Sequence, residues 1–177
     1  MNKIIAVIGM CGSGKSEAVK YFLEHGYRRV YFGDVVINEL KERGLELNEL
    51  NERLVREDLR KQFGMAAMAV KSIDKIREHF KAGNVVIESL YSWSEYKIIG
   101  NEFGDNFKLL ALHTDKKLRY ERLMKREIRP LTLSEAISRD ISEIENIEKG
   151  GPIAFADYMV INDGTIEELK TKLKGLI

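Results

Sequence analysis

The fold is decided by residues 4–16, which read Ile-Ile-Ala-Val-Ile-Gly-Met-Cys-Gly-Ser-Gly-Lys-Ser. The stretch begins with five apolar residues, as a buried strand does, and a helical pattern opens at about Gly14. The three glycines between them allow the backbone to curl so that successive N–H groups point into one concavity. A helix that begins there adds its positive N-terminal end. The stretch therefore predicts an anion-binding turn between a strand and a helix.

Gly9 to Ser16 also fit G-x-x-x-x-G-K-[ST], the phosphate-binding loop or Walker A motif. In this motif Lys15 reaches the β- and γ-phosphates of a nucleoside triphosphate, and the Ser16 hydroxyl holds Mg²⁺. A thiol at a helix N-terminus can be redox-sensitive, but we interpret Cys11 as filling a tolerant position. We assign nucleotide binding to the whole loop: Gly9, Met10, Cys11, Gly12, Ser13, Gly14, Lys15 and Ser16.

Composition limits the class of protein. The chain has 177 residues, which suits one domain, with 44% hydrophobic and 32% charged residues and a net charge of +1. This balance gives no basic excess for a nucleic-acid partner. The single cysteine excludes an internal disulfide and fits a reducing compartment. The apolar run near the N-terminus is too short for a membrane span. We therefore expect a cytoplasmic protein with no membrane or nucleic-acid partner.

The rest of the chain alternates strands and helices. Apolar runs predict strands at residues 4–8, 27–32, 84–88, 107–112 and 158–161. Helical spacing predicts helices at about residues 14–25, 34–44, 48–82 with a bend near Gly64, 92–104, 114–129, 132–147 and 165–176. Asp34 is a candidate N-cap, three capping boxes begin at Ser92, Thr132 and Thr165, and Gly150-Gly151-Pro152 reads as a loop. The helix at 132–147 carries Leu133, Ile137, Ile141, Ile144 and Ile147 on one stripe.

Alternating strands and helices predict an α/β fold, a parallel sheet covered by helices on both faces. In such a sheet, ligands bind outside the carboxyl ends of the strands. Asp34, Glu88, His113 and Asn162 fall just past those ends. We therefore expect them to converge on one cleft with the glycine-rich loop.

Two acids in this cleft are candidates for chemistry. Glu88 ends an apolar strand, as an acid that holds Mg²⁺ does, although a solvated strand end is the plainer interpretation. Asp34 either caps a helix or accepts a proton from an attacking hydroxyl. The histidines have no metal-ligand spacing. Tyr91 and its aromatic neighbours line an acceptor site or pack in the core.

Arginines supply the candidate phosphate contacts. The helix after residue 114 is strongly basic, a pattern that usually marks a solvated face, but phosphoryl transfer needs such cations. Arg126 and Arg139 are candidates for a lid that closes over the phosphates, and Arg122 for stacking on a base. Arg56 and Arg60 lie one turn apart on one helix and could clamp an acceptor phosphate.

Taken together, these motifs resemble P-loop nucleotide kinases, most nearly the small adenylate-kinase-related group often labelled dephospho-CoA-kinase-like. The resemblance rests on the Walker A stretch, on Gly33-Asp34, on the arginine-rich helix and on Ala156-Asp157-Tyr158 with Asn162-Asp163-Gly164. It covers essentially the whole chain. It implies one P-loop NTPase domain over residues 1–177, with a five-stranded parallel sheet in the order 2-3-1-4-5. It also implies an acceptor-binding helical segment at about 34–82 and a short lid at about 122–140.

The resemblance also implies residue roles. Asp34 and Arg56 would face the acceptor, and Arg126 and Arg139 would be lid arginines that act in catalysis with Lys15. Asn162, Asp163 and Gly164 would lie near the adenine of ATP. Related members carry Asp, then Gly and Arg, where this chain has Glu88-Ser89-Leu90-Tyr91. An acceptor pocket that has exchanged a guanidinium for a phenol leaves the acceptor's identity open.

Three functions follow as hypotheses. The first is an ATP- and Mg²⁺-dependent kinase acting on a nucleoside monophosphate, most simply AMP. The second transfers phosphate to a hydroxyl, as dephospho-CoA kinase does, with Asp34 as base. The third is a nucleotide-binding regulator with little turnover. A GTPase switch is disfavoured because no Asn-Lys-x-Asp motif occurs. The oligomeric state stays open.

Overall fold

The five strands form a single parallel sheet. The computed structural model describes residues 2–176, in which the sheet order is β2-β3-β1-β4-β5. All four strand pairs are parallel. The strands are β1 (Ile4–Ile8), β2 (Arg28–Tyr31), β3 (Val85–Glu88), β4 (Phe107–His113) and β5 (Tyr158–Ile161). The α/β class and the strand order implied by the resemblance are thus confirmed.

Helices connect the strands and cover both faces. They are α1 (Lys15–Glu24), α2 (Gly33–Glu42), α3 (Glu49–Phe63), α4 (Ala67–Ala82), α5 (Trp93–Phe103), α6 (Lys116–Met124), α7 (Leu133–Glu145), α8 (Gly150–Ala154) and α9 (Ile166–Leu173). The bend expected near Gly64 separates α3 from α4, with Gly64 at φ 76°. Capping boxes begin α5, α7 and α9 as predicted. Within residues 2–176, none of these helices is long and apolar enough to cross a membrane.

The core lies on both faces of β1. Ile4, Ala6 and Ile8 pack with side chains of α2 to α5, whereas Ile5 and Val7 pack with α1 and α9. Because successive strand side chains point to opposite faces and both faces are covered, β1 reads as an unbroken apolar run. A smaller cluster joins Cys11 of the glycine-rich loop to Tyr120, Leu123 and Ala136 of α6 and α7. These two helices therefore pack against the loop.

Two predicted helix boundaries are wrong. Asp34 does not cap α2, because the helix already begins at Gly33, and its carboxylate pairs with Lys75 at 3.0 Å. The basic helix ends at Met124 and not at Arg129. The backbone N–H of Leu131 donates to the Leu123 carbonyl, and Arg129 takes a φ of 52°, so the chain turns back here. Arg126 consequently lies in an exposed irregular segment.

The region after α7 differs in a further way. Gly150-Gly151-Pro152, expected as a loop, opens the short helix α8. The stripe of Leu133, Ile137, Ile141 and Ile144 on α7 is exposed to solvent. The face of α7 that turns inward carries Ala136 and Asp140, both buried. The polar side chains of α7 are therefore the ones aimed at the glycine-rich loop.

Candidate functional site

The glycine-rich loop joins β1 to the N-terminus of α1. Gly9, Gly12 and Gly14 have φ values of 150°, 83° and 91°. A Cβ on Gly9 would lie 2.5 Å from the Leu112 carbonyl oxygen, and one on Gly14 would collide with the Asn162 amide. Glycine is therefore required by conformation and by space. The Leu112 carbonyl and the Asn162 side chain thus pack against the outside of the curved loop.

The ends of β4 and β5 brace the loop. Asn162, which is buried, donates from Nδ2 to the Ser13 carbonyl at 2.9 Å. The Thr114 hydroxyl donates to the Asn162 carbonyl at 2.9 Å. Because the Asn162 amide is bonded to the loop, its placement supports the loop directly. Contact between Asn162 and a nucleotide base stays a prediction.

Lys15 lies across the loop. Its ammonium donates to the carbonyls of Gly9 at 2.8 Å and Met10 at 2.9 Å. Its pKa is lowered from 10.5 to about 7, first by burial and next by the nearby Lys149 ammonium, whereas Glu143 opposes the shift. A buried lysine with this pKa is stabilised in its charged form by an added anion.

A second ring of charge comes from α7 and the turn after it. Glu143 accepts from Lys149 Nζ at 2.6 Å and from Arg139 Nε at 3.2 Å. Burial raises the pKa of Glu143, but Lys149, Lys15 and Arg139 outweigh that effect and hold it below its ordinary value. Lys149 is 1% exposed, and its ammonium lies 4.5 Å from the centre of the Tyr91 ring. Arg139 and Lys149 thus share one carboxylate, whose charge also acts on Lys15.

A buried ion pair fixes α7 against the loop. Arg119 donates to both carboxylate oxygens of Asp140, at 3.0 and 2.7 Å, and to the Cys11 carbonyl at 2.9 Å. The Tyr120 hydroxyl donates to Asp140 at 3.0 Å. Such a two-pronged, fully bonded pair sets geometry tightly. Because Arg139 adjoins Asp140 on α7, this pair also fixes the backbone from which the Arg139 side chain extends.

The predicted base-side residues come together. Arg122 lies 3.4 Å from both the Thr114 hydroxyl and the Gly164 carbonyl. The Asp163 carboxylate accepts from the backbone N–H of Asp115 at 2.8 Å. Arg122, Asp163 and Gly164 therefore form one corner beside the loop. Arg126 is exposed and lies outside this corner.

Two of the predicted acceptor residues, Glu88 and Arg56, form ion pairs with nearby residues of opposite charge. Glu88 pairs with Arg29 of the adjacent strand at 2.6 Å, so its carboxylate is already engaged in an ion pair and is not a free Mg²⁺ ligand. Arg56 pairs with Glu49 at 2.8 Å and with Glu52 at 3.3 Å on its own helix. Glu88 and Arg56 are thus both engaged in ion pairs. Binding of an acceptor or a metal by these residues would require exchange of those partners.

Tyr91 is placed differently from a solvent-facing acceptor residue. Its hydroxyl donates to Ser89 Oγ at 2.9 Å, and burial raises its pKa to about 12. Ser89 has a φ of 69°, uncommon for a residue other than glycine. The turn after β3 therefore aims the Tyr91 ring inward, toward Lys149.

Sequence reasoning missed Lys149, Glu143, Asp140 and the inward role of Arg119. Lys149 stands in Glu-Lys-Gly-Gly and Asp140 in an acidic helix, contexts that are typical of exposed surface. A signal was present for Arg119, because it lies four residues before the apolar Leu123, on the same face of α6.

The sequence matches a known domain family over most of its length. The AAA_18 family, described as an AAA domain, matches residues 5–148. A UPF0200 protein of Thermococcus kodakarensis is 38% identical over 98% of this chain and 96% of its own length. A UPF0200 protein of Methanosarcina mazei is 40% identical, covering 100% of this chain and 95% of its own length.

Solved structures share the fold at low sequence identity. The TT1252 protein of Thermus thermophilus superposes with a TM-score of 0.70 at 19% identity, over 99% of this chain and 96% of that one. Shikimate kinase of Acinetobacter baumannii, solved in complex with shikimate, gives 0.65 at 14%, over 99% and 93%. Dephospho-CoA kinase of Campylobacter jejuni gives 0.58 at 15%, over 99% and 95%. The fold is that of P-loop kinases.

Proposed function

This chain belongs to the AAA_18 family of AAA domains and to the UPF0200 proteins, and from that premise we propose that it is an ATP-dependent kinase. The proposed acceptor is a nucleoside monophosphate, most simply AMP. The observation that carries the proposal is the positive charge beside the glycine-rich loop: Arg139 and Lys149 share the single carboxylate of Glu143, and the charges of Lys149 and Glu143 act on Lys15. Two cations that share one carboxylate leave one positive charge uncompensated, and a bound polyphosphate would compensate it.

The residues fit ATP with its Mg²⁺. The glycine turn lets backbone N–H groups face phosphate, and a Cβ at Gly9 or Gly14 would clash with Leu112 or Asn162, which support the turn. Ser16 is exposed on the first turn of α1, where its hydroxyl can serve as a metal ligand. Residues 2–176 contain no cluster of three or more His, Cys, Asp or Glu placed to hold a metal by themselves. Mg²⁺, when bound, neutralises charge on the phosphates, so Ser16 and the phosphates would share it.

The chain's own residues then divide the work. Lys15 and the loop N–H groups hold the β- and γ-phosphates. Arg139, fixed by its neighbour Asp140, and Arg126, once its segment closes, supply positive charge to the transferring phosphoryl group. Arg122 lies at the base-side corner with Gly164. Catalysis on this account is positioning plus charge stabilisation.

One observation favours a hydroxyl acceptor as a second candidate. Asp34 does not cap its helix, and its half-exposed carboxylate meets the Lys75 ammonium beside the carboxyl end of β2. A carboxylate in that place can take a proton from an attacking hydroxyl, a task that a phosphate acceptor does not need. The single cysteine supports the further proposal of a reducing, cytoplasmic location.

The test is ATP consumption by the purified protein with Mg²⁺ across a panel of acceptors. The panel holds AMP, the other nucleoside monophosphates, dephospho-CoA, shikimate and no acceptor. We expect AMP to stimulate turnover, and Lys15→Ala to lower the rate roughly 10²- to 10³-fold because it removes a preorganised cation. Lys20→Ala, a change on the exposed face of the same helix, is the matched control and should have no effect.

Asp34→Asn separates the two candidates. A loss of roughly 10²- to 10⁴-fold would indicate a hydroxyl acceptor that needs a base. A small change would support a phosphate acceptor. If no acceptor stimulates turnover while ATP still binds, the kinase proposal fails and a nucleotide-binding regulator takes its place.

A further inference from the structure

Lys149 is a lysine in an unexpected place. It follows α7, caps the short helix α8 and is 1% exposed. Its backbone N–H donates to the Glu143 carbonyl at 3.2 Å, and the preceding Glu148 has a φ of 54°. Backbone in this region is costly for a residue other than glycine. The turn therefore holds a charged side chain inside the protein against its tendency to reach water.

The pairing of Lys149 does not account for its burial. The ammonium meets Glu143 at 2.6 Å and the face of Tyr91 at 4.5 Å. Glu143 is shared, because it also pairs with Arg139 at 3.2 Å. A carboxylate shared between two cations neutralises only one of them. Replacement of such buried pairs by apolar residues is often neutral or stabilising, so a stability role is a weak reason for this arrangement.

Lys149 also acts on the lysine of the glycine-rich loop. After burial, its positive charge is the largest influence that lowers the pKa of Lys15, and Glu143 acts on the same lysine in the opposite direction. The charges of the two lysines thus act on one another. Lys15 belongs to the loop, and Lys149 is held by Glu143 of α7 beside the Tyr91 ring. Asp140 of the same helix binds Arg119, which bonds the Cys11 carbonyl, so the helix that holds Lys149 packs against the loop that carries Lys15.

We propose that Lys149 is a second phosphate-binding lysine, which contacts the terminal phosphate of the nucleoside triphosphate from the side of α7. The proposal rests on the proposed function, since it names a further residue of the same site. Glu143 is a positioning residue that holds Lys149 and Arg139 while no phosphate is bound. Entry of the terminal phosphate takes over both cations from Glu143. A nucleoside diphosphate, which lacks that phosphate, does not engage Lys149.

The test compares the dissociation constants of ATP and ADP, measured by calorimetry without any acceptor. Lys149→Met keeps the length of the side chain and removes its charge. We expect the ATP dissociation constant to rise roughly tenfold to a hundredfold, the loss typical of a hydrogen bond to a charged group, and that of ADP to change less than about threefold. Lys81→Met, on the exposed end of α4, is the matched control and should change neither constant.

Glu143→Gln should change the affinity for ATP in the opposite direction, and it tests the proposal if Lys149→Met does not fold. Because the competing carboxylate is removed, ATP should bind about tenfold more tightly with little change for ADP. A merely structural role for the pair predicts weaker binding of both nucleotides in both variants. Equal losses for ATP and ADP, unchanged ATP affinity in Lys149→Met, or weaker ATP binding in Glu143→Gln would each overturn the proposal.

This experiment is separate from the acceptor panel. If ATP binding shows the expected pattern but no acceptor is phosphorylated, the kinase proposal fails and the assignment of Lys149 stands. If the wild-type protein binds neither nucleotide, both are overturned.

Discussion

The charges beside the glycine-rich loop and those of the proposed acceptor segment, α2 to α4, are arranged in opposite ways. Beside the loop, the side chains of Arg119 and Asp140 are 8% and 10% exposed. In the acceptor segment, Lys75 and Asp34 are 45% and 39% exposed. Arg56 is partly exposed and pairs within its own helix. The Arg119–Asp140 pair is committed to one arrangement, whereas the exposed pairs of the second region are not.

The difference follows from the environment of each pair. A buried ion pair persists only with good geometry and further hydrogen bonds, which Tyr120 and the Cys11 carbonyl supply to the Arg119–Asp140 pair. An exposed pair contributes little to stability and exchanges partners readily. We infer that the framework of the proposed phosphate-donor side, fixed by the Arg119–Asp140 pair, is built before ligand arrives. We expect the proposed acceptor side to rearrange on binding, as in proteins whose charged groups change partner with the ligand.

The largest expected difference between the two regions is the effect of a substitution at Asp140. Asp140→Asn leaves the buried Arg119 guanidinium without its counter-charge, so we expect a loss of about 3 kcal/mol in the free energy of unfolding. For a protein of this size that corresponds to a fall of roughly 6–12 °C in Tm. Calorimetric unfolding measures it.

The control is the same substitution in the acceptor segment. Asp58→Asn removes one of the two partners of Arg43, which lies 2.7 Å away on the protein surface and also pairs with Glu39. It should leave Tm almost unchanged. If the two variants shift Tm equally, the distinction between the two regions is wrong.

The loop itself offers a matched pair of glycines. Gly14 and Gly26 have φ values of 91° and 83°, but a Cβ on Gly26 would meet nothing within 4 Å, whereas one on Gly14 collides with the Asn162 amide. Gly26→Ala should cost about 1 kcal/mol of strain. Gly14→Ala should cost about 2 kcal/mol more, because it also disturbs the bond from Asn162 to the loop. Denaturant unfolding of both variants measures the difference, and similar losses would show that the loop is not braced.

Arg56 tests the acceptor side. If it leaves Glu49 and Glu52 to bind acceptor, Arg56→Ala should raise the KM for acceptor about tenfold and leave the KM for ATP unchanged. Arg53→Ala, one turn away on an exposed face and paired with Glu57, should change neither. An equal effect of Arg56→Ala on both substrates would contradict a role confined to the acceptor.

The features predictable from sequence were those encoded locally. The apolar run of β1, the glycine turn and the capping residues Ser92, Thr132 and Thr165 each act within a few positions, and the structure has them in place. Gly64 marks the break between α3 and α4 for the same reason, because its left-handed backbone stops a helix.

Features set by distant contacts were not predictable. The end of α6 depends on the hydrogen bond from the Leu131 N–H to the Leu123 carbonyl. The charged residues in between have no apolar spacing, so the sequence did not indicate where the helix ends. The burial of Lys149 depends on Glu143 and Tyr91, which are six and 58 residues away in the chain. Glu88 ends its strand as predicted, but the sequence could not reveal that Arg29 pairs with it or that Glu49 and Glu52 pair with Arg56.

The most direct test of a donor site built before its ligand is the proton balance of ATP binding. Without ligand, burial holds the Lys15 pKa at about 7, so at pH 8 this amine is mostly neutral. Adjacent phosphate favours the charged form and raises the pKa, so binding must take up a proton. Calorimetric titration of MgATP at pH 8, in buffers of different ionisation enthalpy, measures that uptake. We predict an uptake close to one proton that is lost in Lys15→Ala. No uptake by the wild-type protein, or the same uptake in the variant, would contradict the account.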